Sequence, residues 1–313
     1  MAKQSDFQLG AILLGVAGVL LFSAKAVLVK MAYQYDVDAI SLLFFRMLFA
    51  LPFYVLILLF TANRFPKKVK RSDYLWLAFF SFLGYYMSSL LDFLGLQYIK
   101  ASLERLVLFV YPTLIILISR IFFGIKVSRW QVAAIAIAYL GILITFWSEM
   151  SLNPSRQLFV GAGFVFLAAI TFASYLVGSG WLIPKFGSIR FTNYAMILAC
   201  LFVVVHTGLY NGFNLWSFQS EVYWLGLAMA ILATVLPSYL VSEAIKYLGA
   251  TNFGIIASLG PISTIILANI LLNETMTIIQ LAGASLVIIS VTLLAYKKRR
   301  ERKRQAMAEP EAL

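Results

Sequence analysis

Charge is scarce in this chain of 313 residues. Asp, Glu, Lys and Arg together make up 12% of it, about half of the roughly 25% that is usual in a soluble domain. Hydrophobic residues make up 62%, and the mean hydropathy is +0.90. So few charges cannot cover a surface that faces water. The composition therefore excludes a soluble globular domain and predicts an integral membrane protein whose principal partner is the lipid bilayer.

Cysteine and histidine are almost absent. The one cysteine, Cys200, excludes a disulfide framework within the chain. The one histidine, His206, has no Cys, Asp or Glu at ligand spacing, so we expect no metal site. The sequence also has no glycine-rich phosphate loop ending in Lys-Ser or Lys-Thr. These absences predict a protein that is not an enzyme and that uses no cofactor.

Long apolar runs fill the chain instead. A membrane-spanning helix takes about 20 apolar residues, and cutting the sequence at charged and turn-rich stretches gives ten such runs. They are roughly 10–29, 39–61, 74–99, 103–123, 129–147, 158–182, 191–210, 223–247, 250–272 and 276–296. The connections are short and leave no room for a soluble catalytic domain. The predicted fold class is therefore an all-α integral membrane protein with ten transmembrane helices.

Lys and Arg are distributed very unevenly between the two sides of this predicted bundle. With the N-terminus in the cytoplasm, 18 of the 25 fall on cytoplasmic segments and two, Lys100 and Arg156, on outer loops. Positive residues favour the cytoplasmic side, which predicts that both termini lie inside. The basic tail, 297–313, is expected to hold the last helix at the cytoplasmic face and to attract anionic lipid rather than nucleic acid.

A stretch of the sequence occurs twice. Shifted by 149 positions, Tyr98 falls on Tyr247, Pro112 on Pro261 and Gln131 on Gln280, with no gap. The predicted repeats are 1–149 and 150–296, with five helices each. Because five is odd, the second repeat would enter the membrane in the opposite orientation. Inverted repeats around a central cavity suit alternating access, in which one site opens to either side in turn.

The motifs within these repeats resemble those of a known family. They are Phe22-Ser23-Ala24-Lys25 in the first helix, Gly95 to Ser102 around the third helix end, Tyr111-Pro112 and Gly260-Pro261. The chain is similar, over residues 8–296, to the ten-helix EamA-type transporters of the drug/metabolite transporter superfamily. The family's Gly-Glu motif stands here as Asn273-Glu274, whereas the first half has Gly124-Ile125 and has lost the acid.

This resemblance implies a function. The family moves small metabolites, often amino acids or their relatives, across the bacterial inner membrane through a central cavity. A secondary transporter of a small polar substrate, anionic or zwitterionic, is therefore the leading expectation. A lipid-linked-sugar flippase and a non-transporting membrane scaffold remain as alternatives, and a homodimer is left open.

Ionisable residues inside predicted spans are the first candidates for the site, since each costs at least about 2.5–3.5 kcal/mol at a helix centre. In the first half these are Lys25, Arg46, Asp92, Glu104 and Arg105. They could form ion pairs that hold the helix ends together. Alternatively, the surplus positive charge could bind a carboxylate or a phosphate. Glu104 and Arg105 are neighbours and point about 100° apart, so one of them at most can face the cavity squarely.

Other candidates come from aromatic, amide and proline positions. Predicted substrate contacts are Tyr85, Tyr111, Tyr175, Tyr239 and Asn252. Predicted hinges are Pro112 and Pro261, placed at the middle of their helices, where each would free a carbonyl group. Glu243 either pairs locally with Lys246 or acts as an inner gate or proton carrier.

Overall fold

Helices account for all the regular secondary structure in the part of the chain that the computed structural model describes. That part comprises residues 2–61, 69–124, 127–152, 155–212, 215, 217–248, 256–257 and 259–308. The helices are α1 (Ala2–Ala32), α2 (Ala39–Thr61), α3 (Arg71–Ser81), α4 (Ser88–Tyr98), α5 (Ala101–Leu108), α6 (Tyr111–Phe123), α7 (Arg129–Leu152), α8 (Arg156–Phe186), α9 (Ser188–Asn211), α10 (Ser220–Ala230), α11 (Leu236–Leu248), α12 (Leu259–Leu272) and α13 (Ile278–Ala308). Two π-helical turns, Phe82–Met87 and Ile231–Val235, join α3 to α4 and α10 to α11.

The predicted membrane character is confirmed. Among the described residues, eight helical segments are long and apolar enough to cross a bilayer, and two shorter apolar helices, Leu259–Leu272 and Ile278–Leu293, follow them. The first part of the ninth predicted span, from Ala250, lies outside the described residues. The count of ten transmembrane helices and the orientation of the termini stay predictions.

Helices at equivalent places in the two halves make equivalent contacts. α1 packs against α11 and α12, while its counterpart α8 packs against α4 and α6. α10 packs on α2 and α3 packs on α9, and two further pairs, α2 with α9 and α7 with α13, join counterparts directly. The first helix of each half therefore packs into the other half, and most of the core is formed between the halves.

The 149-residue offset also relates local structures. Phe82 shifted by 149 is Ile231, so the two π-helical turns begin at matched positions. The same shift relates two helix starts: Ser128 and Gln131 exchange bonds between side chain and backbone, and so do Thr277 and Gln280. Each pair is a capping box, which satisfies two free backbone N–H groups. The glutamine that marks the repeat in the sequence is kept because it starts a helix.

Glycine allows the closest helix crossings. A Cβ atom on Gly161 of α8 would lie 2.8 Å from the Tyr98 side chain and 3.1 Å from the Gly95 carbonyl oxygen. On the α7–α13 pair, a Cβ on Gly141 would lie 2.5 Å from the Gly283 carbonyl oxygen. Helices in lipid associate largely by close packing of small residues rather than by the hydrophobic effect. These crossings therefore fix how the halves meet.

The predicted hinge Pro112 does not lie in the middle of a helix. It is the second residue of α6, after the helix breaks at Phe109 and Val110. Proline is favoured in the first turn because the N–H that it lacks would have no helical partner there. The mid-helix placement of Pro112 was therefore wrong. Pro261 follows two described residues of α12, and residue 258 before them lies outside the described part, so its mid-helix placement stays a prediction.

Two glycines of α8 give a matched test of the crossing. We expect Gly161→Ala to lower the midpoint of thermal unfolding in detergent, by an amount equivalent to about 1–3 kcal/mol, because the methyl group overpacks the interface. Gly163 has nothing within 4 Å of an added Cβ. Gly163→Ala should leave the midpoint unchanged or raise it, since alanine is the better helix former. Equal effects of the two changes would contradict the close crossing.

Candidate functional site

An ion pair lies at the centre of the candidate site. The Lys25 ammonium of α1 is 2.6 Å from a carboxylate oxygen of Asp92 on α4, and the two side chains are 14% and 1% exposed. Both residues were selected from the sequence because they carry charge inside apolar runs. A pair buried to this degree offsets much of its desolvation cost only while both partners remain.

Glu104 and Arg105 of α5 complete a four-residue cluster, which we call the charged cluster: Lys25, Asp92, Glu104 and Arg105. Glu104 is fully buried, its carboxyl group adjoins that of Asp92, and neither of its oxygens accepts a bond from an N–H or O–H donor among the described residues. The Arg105 guanidinium lies against Gly260 of α12, where an added Cβ would be 3.3 Å from its Nη2 atom. The Arg105 Nε atom is buried and has no hydrogen-bond partner in the described part of the chain.

Arg46 is committed to neighbouring side chains. Its Nε atom donates to the Thr234 hydroxyl at 2.8 Å, one Nη atom lies 3.4 Å from the Ser89 hydroxyl, and the guanidinium lies 5.6 Å from the centre of the Phe93 ring. Thr234 itself lies in the second π-helical turn and donates to the Met229 carbonyl five residues before it. Arg46 therefore joins α2 of the first half to the π-helical turn of the second, within electrostatic reach of Asp92.

The predicted tyrosines fall into separate contacts. Tyr175 donates to the Tyr85 hydroxyl at 3.1 Å. Tyr239 donates to the Asn193 side-chain oxygen at 2.7 Å. Tyr111 lies edge-on to the Phe172 ring, with ring centres 5.3 Å apart, and within electrostatic reach of Arg105.

The predicted roles of Asn252 and Glu243 each depend on residues outside the described part of the chain. Asn252 lies outside the described residues. Glu243 lies half-buried on α11, and the side chain of its expected partner Lys246 is outside the described part.

Several buried polar residues are not singled out by the sequence because they are uncharged. Ser23 accompanies Lys25 on α1 and donates to the Gly260 carbonyl at 3.1 Å, beside Arg105. Tyr54 is fully buried, with its hydroxyl 3.2 Å from that of Ser238. Asn193 is also fully buried. The π-helical turns that direct Tyr85 and Thr234 inward are irregularities that an apolar pattern does not reveal, although such turns are frequent at functional sites.

An apolar groove of about 410 Å³ lies elsewhere, between α12 and α13. Its lining is Ile262, Ile265, Ile266, Leu281, Ala284, Ser285, Ile288 and Ile289. Ile262, Ile266 and Ile289 are exposed, as expected of side chains that face lipid. The groove contains no charged residue, so the candidate site is the charged cluster and not this groove.

The arrangement can bind a charged or hydrogen-bonding group. Two cations and two acids meet where α1, α4, α5 and α12 approach one another, and these helices come from both halves. Side chains of opposite charge at one point in an apolar bundle are typical of a substrate pathway. A helical membrane bundle with such a cluster has the features of a membrane transport protein.

Comparison with known proteins places the chain among its relatives. The model of the EamA-like transporter family matches residues 9–147 and again 159–296. The Bacillus subtilis protein named "Uncharacterized transporter YcbK" is 31% identical over 299 residues, covering 92% of this chain and 93% of the relative. An "Uncharacterized transporter" of Archaeoglobus fulgidus is 24% identical over 215 residues, covering 66% of this chain and 71% of the relative. A solved crystal structure with a TM-score of 0.62 and 16% identity, covering 93% of this chain and 97% of its own, shares the fold.

The chain therefore belongs to the EamA-like transporter family, and with it to the drug/metabolite transporter superfamily. The two matched segments confirm that the family domain occurs twice along the chain. Family membership and the apolar helices make the protein a multi-pass membrane transporter by class.

Removing Lys25 and removing Asp92 should destabilise the protein to different extents. We expect Lys25→Met to lower stability in detergent by about 3–5 kcal/mol, because it leaves two adjoining carboxyl groups without their nearest cation. Asp92→Asn should cost less, since Glu104 is placed to take over as the partner of Lys25. The measurement is the thermal unfolding midpoint of each purified variant. If Asp92→Asn is as harmful as Lys25→Met, Glu104 does not serve as a second partner.

Proposed function

We propose that this protein is a secondary transporter that moves a small polar metabolite with a charged group across the cytoplasmic membrane by alternating access. The observation that carries the proposal is the charged cluster. It is buried, it lies where helices of both halves meet, and its Arg105 Nε atom has no hydrogen-bond partner among the described residues.

The roles of the cations follow from their surroundings. Lys25 is bound to Asp92 and Arg46 to Thr234, so Arg105 is the cation with the most free capacity. Its planar guanidinium suits a carboxylate or a phosphate oxygen. Gly260 and Ser23 lie beside the guanidinium, so a substrate group there would contact backbone atoms and a hydroxyl group rather than a bulky side chain. An amino acid or a related anionic or zwitterionic compound fits this chemistry.

Alternating access is supported by the matched contacts. Because each half packs its first helix into the other half, the two halves cannot move as separate blocks; they must exchange packing at the shared interface. Two halves of opposite orientation, as the charge pattern predicts, have two near-equivalent packings, each of which opens the site to one side. The helix break before Pro112 provides a position where segments can change angle, and Pro261 is the matched candidate in the second half.

The flippase alternative is less favoured by the arrangement. A lipid-linked sugar needs a lateral opening that leads to polar side chains. The groove between α12 and α13 is open to the side, yet its lining is apolar and contains none of the charged cluster.

Reconstitution tests the proposal directly. A comparison of metabolites in cells with and without the protein would identify the substrate, and its flux would then be measured in liposomes. We expect Lys25→Gln, Asp92→Asn and Arg105→Gln each to reduce flux at least about tenfold, since losing one partner of a buried charged contact costs 2–5 kcal/mol or more.

Arg156→Gln is the matched control, because Arg156 is an exposed cation at the start of α8. It should transport at the parent rate. Normal flux in all three cluster variants would show that the substrate does not pass through this site, and no flux for any compound in the parent protein would favour a scaffold role.

A further inference from the structure

The corner between α4 and α5 is held by charges from distant parts of the chain. α4 ends at Tyr98 and α5 begins at Ala101. At the start of α5, the backbone N–H groups of Ala101 and Ser102 donate to the two carboxylate oxygens of Glu274 at 2.9 and 3.0 Å. The Ser102 hydroxyl donates to the same carboxylate at 2.6 Å. Three bonds thus join the first half to the link between α12 and α13.

The other side of the corner carries the opposite charge. The ammonium of Lys30, from α1, donates to the Leu96 carbonyl oxygen near the end of α4 at 3.0 Å. An anion therefore caps the positive end of α5 and a cation caps the negative end of α4, as the helix dipoles favour. Lys30 and Glu274 also attract each other across the corner.

A third contact fixes the residue between the two helices. Lys100 forms an ion pair with Glu149 of α7 at 2.9 Å. The same carboxylate accepts a bond of 2.6 Å from the side-chain amide of Gln280, on α13. The corner is therefore joined to α1, α7, α13 and the α12–α13 link by polar contacts. Separating such contacts in water costs only a modest net free energy, because water replaces the lost hydrogen bonds.

Glu274 has no acidic counterpart in the repeat. Glu274 shifted back by 149 is Ile125, which has no carboxylate. The matched position of the other half therefore supplies no acid for the same contact. A carboxylate that is present in one half only can favour one of two otherwise similar packings.

We propose that Glu274, assisted by Lys30, is the latch of the outer gate. Its bonds to Ala101 and Ser102 hold α5 in place and so position Glu104 and Arg105, which follow within three residues on the same helix. Breaking these bonds frees the start of α5 and opens the charged cluster to the side on which the corner lies, which the charge pattern predicts to be outside. The inference rests on the proposed transport function and on that orientation.

Thiol labelling tests the latch without a substrate. In a Cys200→Ala background, Ser23→Cys places a near-isosteric reporter beside Arg105 and Gly260. The probe is a membrane-impermeant, positively charged methanethiosulfonate added to either face of oriented membrane vesicles. We expect Glu274→Ala to raise the labelling rate from the outer face by roughly tenfold, about the effect of losing one charged hydrogen bond. Lys30→Met should act in the same direction.

Glu221→Gln provides the matched control, since Glu221 is an exposed acid in the first turn of α10. It should leave labelling unchanged. Ser102→Ala, which removes only the hydroxyl contact, serves as a milder variant if Glu274→Ala does not fold, and should raise outer labelling less. An unchanged outer rate in folded Glu274→Ala and Ser102→Ala protein would overturn the latch, as would an equal rise from both faces, which indicates general loosening.

The outcomes also separate this inference from the proposed function. If labelling from outside responds to Glu274 but no compound is transported, Glu274 controls access to the charged cluster and the transport proposal fails. If substrate flux is found but labelling ignores Glu274, transport stands and the latch fails.

Discussion

Lipid offers no hydrogen bonds, and this constraint shapes every irregular part of the structure. A straight transmembrane helix satisfies its own backbone, whereas a broken one exposes free N–H and C=O groups that need partners from the protein. Glu274 and Lys30 supply such partners where α4 meets α5. The π-helical turns keep their backbone groups bonded while they shift the helix face. The positions that depart from regular helix are thus also the positions where polar side chains gather.

The same constraint explains what the sequence could predict. Apolar runs of about 20 residues are required of any helix that crosses lipid, so the spans could be placed from composition. Lys25, Asp92, Glu104 and Arg105 could be found because charge in such a run is rare. Their pairing could not, because Lys25 and Asp92 lie on different helices and apolar periodicity does not define which faces meet.

Other features depended on short-range chemistry that the pattern of apolar residues hides. Pro112 was expected to bend a continuous helix, yet the helix breaks at Phe109 and Val110 and the proline lies in the first turn of a new one. Lys30 lies near the end of the first apolar run, where a lysine is ordinary, and Glu274 appears in the sequence only as part of a family motif. Each acquires a role through a backbone group that is close in space and remote in sequence, at Leu96 and at Ala101.

The matched irregularities also record an order of events. The π-helical turns at Phe82 and Ile231 and the capping boxes at Gln131 and Gln280 recur at one offset, so a single ancestral half carried them before it was duplicated. At the same offset Lys25, Glu104 and Arg105 correspond to Ser174, Phe253 and Gly254, so their charges diverged afterwards. The helix geometry of this chain is therefore older than the duplication, whereas the difference in charge between its halves is more recent.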